Sequence, residues 1–271
     1  MRRSDAISLC VALVFSGAAS ADEAPERVVS MNHCADQYAL LLGAPGQVVS
    51  VTHVAADPLL SVVTDRLEGV GLNRAGAEEI YRLDPDLVLA SRWSDPMAIG
   101  VLEGLGVRVA RVDGVETLAD IPQNIEHVAG LLGRAEVGAK IAADVSRRLA
   151  DLPVADGERP EAAFFGAGGY SVGSGSLADD IVGRAGFDNL ADRVGRSAGG
   201  YLSVEVLLME RPDLLIMSGV YPGSSQAEAL MDHPALSDIP RYRTDGAWSC
   251  GLLATLGAVE ALIALRNSLI E

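Results

Sequence analysis

The chain has 271 residues, with 21 Lys and Arg against 37 Asp and Glu, and therefore a formal net charge of −16. This balance excludes a nucleic-acid-binding protein that works through a basic face, because phosphate would be repelled. With 49% hydrophobic residues and a mean hydropathy of +0.25, the composition excludes a disordered chain and provides for a large core.

The first 21 residues have the pattern of a signal peptide. Arg2 and Arg3 form a short positive region, Ala6–Phe15 is an apolar run, and residues 19–21 are Ala-Ser-Ala, as at a cleavage site. A membrane anchor is the alternative, but a spanning helix needs about 20 apolar residues, more than this run offers. We predict a soluble, exported protein that begins near Asp22.

After the leader, short apolar strands alternate with amphipathic helices. The strands are predicted at Val28–Met31, Val48–Val51, Leu87–Ala90 and Val107–Val112. The helices between them are predicted at Ala35–Leu42, Ala77–Leu83 and Pro96–Leu105. Strand and helix in alternation indicate parallel βαβ units and an α/β fold class.

The alternation of strands and helices stops after residue 117. Two helical patterns, Leu118–Leu132 and Ala135–Leu152, follow each other there without a strand between them. Beyond a polar break from residue 153 to 160, the strands and helices resume at Ala162–Phe165, Leu177–Ala185, Val204–Glu210, Leu214–Met217 and Leu253–Ile270. We predict two lobes with parallel sheets, residues 22–117 and 153–271, joined by one long linker helix within residues 118–152.

One segment occurs twice. Residues 78–91 align with residues 205–218, and each copy runs from an acidic residue through an apolar helix and Pro-Asp-Leu into an apolar strand. Proline ends the helix and Asp favours the turn. The repeat predicts related architectures in the two lobes, with Asp84 and Asp86 as turn and solvent-facing residues.

These features resemble a known family. Beside the repeat, the resemblance rests on PERVVSMN at residues 25–32, VGSGSLADD at 172–180 and HPAL at 233–236. The sequence resembles the periplasmic substrate-binding proteins of ABC importers, in the branch for ferric siderophores, haem and cobalamin, from Pro25 to the last helix. The resemblance implies a periplasmic receptor that is not an enzyme and needs no cofactor, with a ligand cleft between lobes that one rigid helix connects.

The resemblance also implies partners. The ligand would be a metal chelate of the ferric siderophore or cobalamin class. An aromatic content of 4% favours cobalamin or a hydroxamate siderophore over haem and catecholates, but the sequence does not decide which chelate is bound. The protein would deliver it to an ABC permease dimer in the inner membrane. In this family a Glu on each lobe pairs with permease arginines, and the aligned repeat places Glu78 and Glu205 in that role.

Ligands of parallel α/β sheets bind beyond the carboxyl ends of strands. The residues that follow predicted strands are therefore candidate ligand contacts: Asn32, His33, His53, Arg92, Trp93, Tyr170, Ser174, Ser176, Tyr221 and Trp248.

Two alternatives use other chemistry. Residues 169–173 match G-x-S-x-G, which would make Ser171 the nucleophile of an exported serine hydrolase, although Ser176 is predicted to begin the next helix and only His233 follows as a base. A bare zinc or manganese receptor would use His33 and His53, with Cys34 as a further ligand. We expect no metal site, because such sites commonly need three or four strong ligands.

Removal of the leader removes Cys10 and leaves Cys34 and Cys250. An even number of cysteines in an oxidising compartment favours a disulfide. If both loops face the cleft, this bond would tie lobe to lobe. Two separate thiols near the ligand are the alternative.

Overall fold

The computed structural model describes residues 24–112, 114–221 and 225–270, so the predicted signal peptide lies outside the described residues. The strands of the first lobe are β1 (Val28–Ser30), β2 (Val48–Thr52), β3 (Gly71–Asn73), β4 (Leu87–Ala90) and β5 (Val109–Arg111). Its helices are α1 (His33–Leu42), α2 (Ala77–Tyr81) and α3 (Pro96–Gly104).

The first sheet is fully parallel in the order β3-β2-β1-β4-β5. The four predicted strands are present, and β3 is an additional edge strand. Two of its three residues, Gly71 and Leu72, are exposed, so β3 has no apolar run to mark it in the sequence.

The linker contains α4 (Ile121–Leu131) and α5 (Ala135–Asp151). Helix α4 packs against α1 of the first lobe, and the 17 residues of α5 lead into the second sheet. Gly138 allows α5 to approach α4 closely, since a Cβ there would lie 2.3 Å from the Cβ of Ala129. Helix α5 is thus the long connecting helix that the sequence predicts.

The strands of the second lobe are β6 (Glu161–Phe164), β7 (Tyr170–Ser171), β8 (Asp188–Asn189), β9 (Gly200–Tyr201), β10 (Leu214–Met217) and β11 (Arg241–Arg243). Its helices are α6 (Leu177–Arg184), α7 (Leu190–Arg193), α8 (Val204–Glu210), α9 (Gln226–Ala229) and α10 (Leu253–Ile270). The second sheet is parallel in the order β11-β10-β6-β8, and β7 pairs with β9 in an antiparallel ribbon.

The sequence repeat is also a repeat of backbone geometry. The equivalent residues Asp84 and Arg211 both have a left-handed conformation, with φ of 49° and 50°. The aspartate two positions later in each copy, Asp86 or Asp213, also binds the backbone. Asp86 accepts hydrogen bonds from the backbone of Arg27 at 3.0 and 3.1 Å, and Asp213 accepts one from Glu161 at 2.7 Å. Each aspartate therefore secures the start of the neighbouring strand, β1 or β6.

The main core runs through both lobes. Alternate side chains of β4 face opposite ways: Leu87 and Leu89 enter the main core, whereas Val88 packs under the outer helices of the first lobe. The main core also takes in Phe164 of β6 and Ile216 of β10, together with side chains of α4, α5 and α10. The inner faces of the two sheets therefore share one apolar interior.

Helix α10 is long and apolar enough to cross a membrane by length and composition, with a mean hydropathy of 1.4. Its packing is that of a core helix, because Leu256, Val259 and Leu262 are fully buried in the main core. The buried guanidinium of Arg266 donates to the carbonyl oxygens of Gly186 at 3.2 Å and of residue 156 at 2.9 Å.

Candidate ligand cleft between the lobes

A pocket of about 240 Å³ lies at the carboxyl ends of β6 and β10. Its walls include Phe164, Tyr170, Met217, Ser218, Thr244 and Trp248. A larger groove of about 840 Å³ lies where the strands of this sheet begin, near Pro160, Asp213 and Pro240. The pocket is the better candidate, because ligands of parallel sheets bind at the carboxyl ends of the strands.

The pocket brings the predicted residues Tyr170 and Trp248 together. Trp248 is only 7% exposed and packs against the rings of Phe164 and Tyr242, with centroids 6.3 and 5.6 Å away. Tyr170 is 52% exposed and meets Tyr201 edge-to-face at 6.0 Å. The pocket wall therefore combines a buried indole with one accessible phenol ring, that of Tyr170, and Tyr201 packs against this ring from outside the pocket.

The first lobe offers a different aromatic group after β4. Trp93 is 80% exposed, the highest value among the large exposed hydrophobic side chains of the described residues. The guanidinium of Arg92 lies 5.6 Å from the centre of this ring and 3.0 Å from Glu116 Oε1. Most of the indole surface is therefore accessible to solvent, while the guanidinium lies over one face of the ring.

A second cluster joins the lobes. The Tyr221 hydroxyl donates to Asp57 Oδ2 at 2.7 Å, and this hydrogen bond raises the pKa of Tyr221. Burial lowers the pKa of the His33 imidazole, and the nearby Asp57 carboxylate opposes that shift. The Tyr221–Asp57 hydrogen bond therefore joins the second lobe to the first, and His33 lies close enough for the Asp57 charge to act on its pKa.

The predicted disulfide is confirmed: Cys34 and Cys250 are bonded, with Cα atoms 5.2 Å apart. Two polar side chains of α1 reinforce the same junction. Gln37 Nε2 lies 3.3 Å from Cys250 Sγ, and the Tyr38 hydroxyl lies 3.1 Å from the Cys250 carbonyl oxygen. The bond thus ties the start of α1 to the loop before α10.

Three of the predicted ligand residues make local contacts. Asn32 caps α1 by accepting from the Cys34 amide at 3.1 Å, and Ser176 caps α6 by accepting from the Asp179 amide at 3.2 Å. The Ser174 hydroxyl donates to Asp192 at 2.6 Å. These three side chains hydrogen-bond within the loops and helix ends where they lie, and a role in ligand binding stays a prediction.

His53 is exposed in the turn after β2 and lies outside the one cluster of three potential metal ligands in the described residues, His33, Cys34 and Cys250. The disulfide occupies both sulfurs of that cluster. The described residues therefore do not bring His33 and His53 together as a zinc or manganese site.

Ser171 does not lie on a nucleophile elbow. It is 1% exposed within β7, which pairs with β9, and the next helix begins only at Leu177. The later histidine, His233, uses its ring Nδ1 to accept from the Ala235 amide at 3.2 Å. The geometry gives no support to the hydrolase alternative.

Sequence reasoning missed Asp36, Gln37 and Asp57. The first two are fully buried in α1, and their signal was two polar residues inside an otherwise apolar helical segment. Asp57 carries no such signal, because an acidic residue in a loop is most often a solvated one.

The family model described as "Periplasmic binding protein" matches residues 28–245. The chain belongs to the periplasmic binding protein family. It is 26% identical over 202 residues to the cobalamin-binding protein of Halobacterium salinarum, covering 72% of this chain and 54% of that protein. It is 23% identical over 256 residues to the vitamin B12-binding protein of Vibrio campbellii, covering 89% of each. The chain thus spans about half the length of the archaeal relative.

A solved structure supports the fold. The periplasmic vitamin B12 binding protein of Vibrio cholerae has a TM-score of 0.71 and 20% identity, covering 91% of this chain and 98% of that one. These findings confirm the resemblance and the two-lobed α/β fold, and they make this chain a binding protein, not an enzyme.

Proposed function

We propose that this protein is an exported periplasmic receptor for cobalamin or a closely related corrinoid, which it delivers to an ABC permease. The observation that carries the proposal is the similarity to proteins named for cobalamin or vitamin B12 binding, over 202 and 256 residues. A ferric siderophore or haem would need the same general cleft, so the test includes both.

The arrangement of aromatic side chains supports a large, flat metal macrocycle. Trp93 offers an exposed ring at the end of β4, and the tyrosine pair Tyr170 and Tyr201 offers two more from the second lobe. Aromatic faces bury a planar ligand at little cost in side-chain entropy. In this proposal the macrocycle lies between Trp93 and the tyrosine pair.

Thermal unfolding of the mature protein with cobalamin, haem and a ferric hydroxamate siderophore tests the ligand. At about 100 times its dissociation constant, cobalamin should stabilise the protein by about 2.7 kcal/mol and raise Tm by several degrees. Stabilisation by haem or the siderophore, with none by cobalamin, would contradict the corrinoid assignment while leaving the receptor function intact.

Calorimetric titration of a matched pair of variants locates the ligand. Trp93→Ala should weaken cobalamin binding by about tenfold, since stacking on an aromatic ring contributes about 1 kcal/mol or more. Tyr81→Ala removes an aromatic ring of α2 that is 48% exposed and should leave the affinity unchanged. Equal effects of the two substitutions would remove Trp93 from the proposed contact.

We also propose that Glu78 and Glu205 dock the protein on the permease, one from each lobe. Glu78 lies in the first turn of α2, where 81% of its side chain is exposed, and it pairs with Arg82 at 2.7 Å. Glu205 lies in the first turn of α8, and a hydrogen bond with Ser203 lowers its pKa. Both carboxylates are accessible, and an exposed pair such as Glu78–Arg82 is readily exchanged for a partner's arginine.

Transport assays with the reconstituted importer test the docking role. Reversing both charges, with Glu78→Lys and Glu205→Lys, should abolish transport because lysine would face the proposed permease arginines. Cobalamin affinity should stay within about twofold of wild type. Reversal of two other exposed glutamates, Glu103→Lys and Glu136→Lys, is the control and should leave transport near normal. A matching loss of cobalamin binding in the first variant would place these glutamates in the cleft instead.

A further inference from the structure

One side-chain cluster in the described residues carries chemistry that ligand capture does not use. The ligand atoms of His33, Cys34 and Cys250 all lie within 4.8 Å of one another. His33 and Cys34 begin α1 of the first lobe, and Cys250 precedes α10 in the second. Imidazole and thiolate are the groups that structural and catalytic zinc sites use most.

His33 adds an independent observation. Its Nδ1 atom is buried and makes no hydrogen bond of ordinary geometry among the described residues, although the Leu60 backbone lies near enough to the ring to raise its pKa. The other ring nitrogen, Nε2, lies 3.3 Å from Gln37 Nε2, and the same amide nitrogen lies 3.3 Å from Cys250 Sγ. A buried polar atom without a partner in a native protein calls for an explanation, and an ion is one of those available. Gln37 would be the outer-shell residue that orients both ligands.

We propose that reduction of the Cys34–Cys250 disulfide creates a zinc site between the lobes, with both thiolates and the His33 imidazole as ligands. A dithiol reductant breaks the S–S bond, supplies two electrons and two protons, and is itself oxidised to a disulfide. The two new thiols release their protons to solvent when Zn²⁺ binds. The fourth position of the tetrahedron is left to water or another small ligand.

The geometry needs little adjustment for this change. Ligands held about 2.0–2.3 Å from a tetrahedral zinc ion lie roughly 3.5–3.8 Å apart, so side-chain rotation alone can bring these atoms, now within 4.8 Å, into place. The polypeptide already holds the two Cα atoms 5.2 Å apart. Zinc would thus replace one cross-link between the lobes with another. This site is independent of the ligand that we propose lies between Trp93 and the tyrosine pair.

Zinc titration of the mature protein in competition with a chromogenic chelator tests the site. The titration compares oxidised protein with protein whose disulfide has been reduced. A phosphine is used as the reductant because a dithiol would itself bind zinc. The reduced protein should bind one equivalent of zinc and the oxidised protein none. With Co²⁺ in place of zinc, the reduced protein should show thiolate-to-metal charge-transfer absorption. Equal zinc uptake by both forms, or reduced protein that unfolds and takes none, overturns the proposal.

Variants separate this site from adventitious binding. His33→Ala should weaken zinc binding by about tenfold or more, because one of three protein ligands is lost. His127→Ala, which removes an exposed histidine of α4, should bind as the wild type does. The double variant Cys34→Ser, Cys250→Ser should keep its native circular dichroism and lose the site. Wild-type zinc affinity in reduced His33→Ala would refute the assignment.

Discussion

Asp36 is a carboxylate that the fold buries away from solvent. Its side chain is fully buried, accepts from the Thr52 amide at 3.0 Å and bonds the Thr52 hydroxyl at 2.5 Å. Burial raises its pKa from 3.8 to about 6, although hydrogen bonds from Ser30 and Thr52 and the charge of His53 act in the opposite direction. Asp36 therefore joins α1 to the end of β2 at an electrostatic cost.

This cost predicts a pH dependence of stability. A carboxyl whose folded-state pKa is raised holds its proton more tightly when folded, so its favourable contribution is present below pH 3.8 and is lost as the pH rises through about 6. Asp36→Asn keeps the shape without the charge. The variant should be more stable than wild type by about 2–3 kcal/mol near pH 7, and this difference should vanish near pH 4.

Urea unfolding between about pH 4 and pH 7 measures the difference. Asp65→Asn, at an exposed aspartate beside Arg66, is the control and should follow the wild-type profile. A constant difference between Asp36→Asn and wild type across this range would show that the buried carboxyl does not titrate there.

At the scale of elements, the sequence predicts those that have a strong apolar pattern. β4 and β10 lie where their Val- and Leu-rich runs predict them, and α5 ends within a residue of its predicted end. The missed strands have two or three residues each, and two of them, β7 and β9, pair only with each other. Such a ribbon depends on tertiary contacts, which local patterns do not contain.

The candidate site likewise contains residues that the sequence identified and contacts that it did not. The position of Trp93 after a strand made it a candidate ligand contact, but a strand end alone does not determine whether the ring is exposed. Trp248 also follows a strand, yet the rings of Phe164 and Tyr242 enclose it. The pairing of Tyr221 with Asp57 joins residues 164 positions apart, so no local pattern could have predicted it.

At the scale of the whole molecule, one apolar core contains side chains from both lobes. Beside the core, close backbone contact joins them, since a Cβ on Gly246 would lie 2.6 Å from the Leu60 carbonyl carbon. Wide opening would have to expose apolar surface and break the disulfide junction. We therefore expect ligand binding to proceed with small relative movement of the lobes.

Removing the disulfide should lower stability without changing the fold. In the chain-entropy model, a bond that closes a loop of this length contributes at most about 5 kcal/mol, and measured values are commonly about 2–4 kcal/mol. Urea unfolding of the Cys34→Ser, Cys250→Ser variant measures the loss. Reduction of the wild type, without added metal, should reproduce it, and unchanged stability in both would show that the bond does not constrain the unfolded chain.

The same bond also makes the polypeptide a ring. Cys34 and Cys250 are separated by 216 positions, so the ring contains the second sheet, the strands β2 to β5 of the first sheet and every helix from α2 to α9, while β1 lies before it. A single proteolytic cut in any loop of the ring yields two fragments that the disulfide still joins. During synthesis the ring can close only after nearly all of the chain has been made. A molecule that contains the disulfide has therefore been synthesised through both lobes.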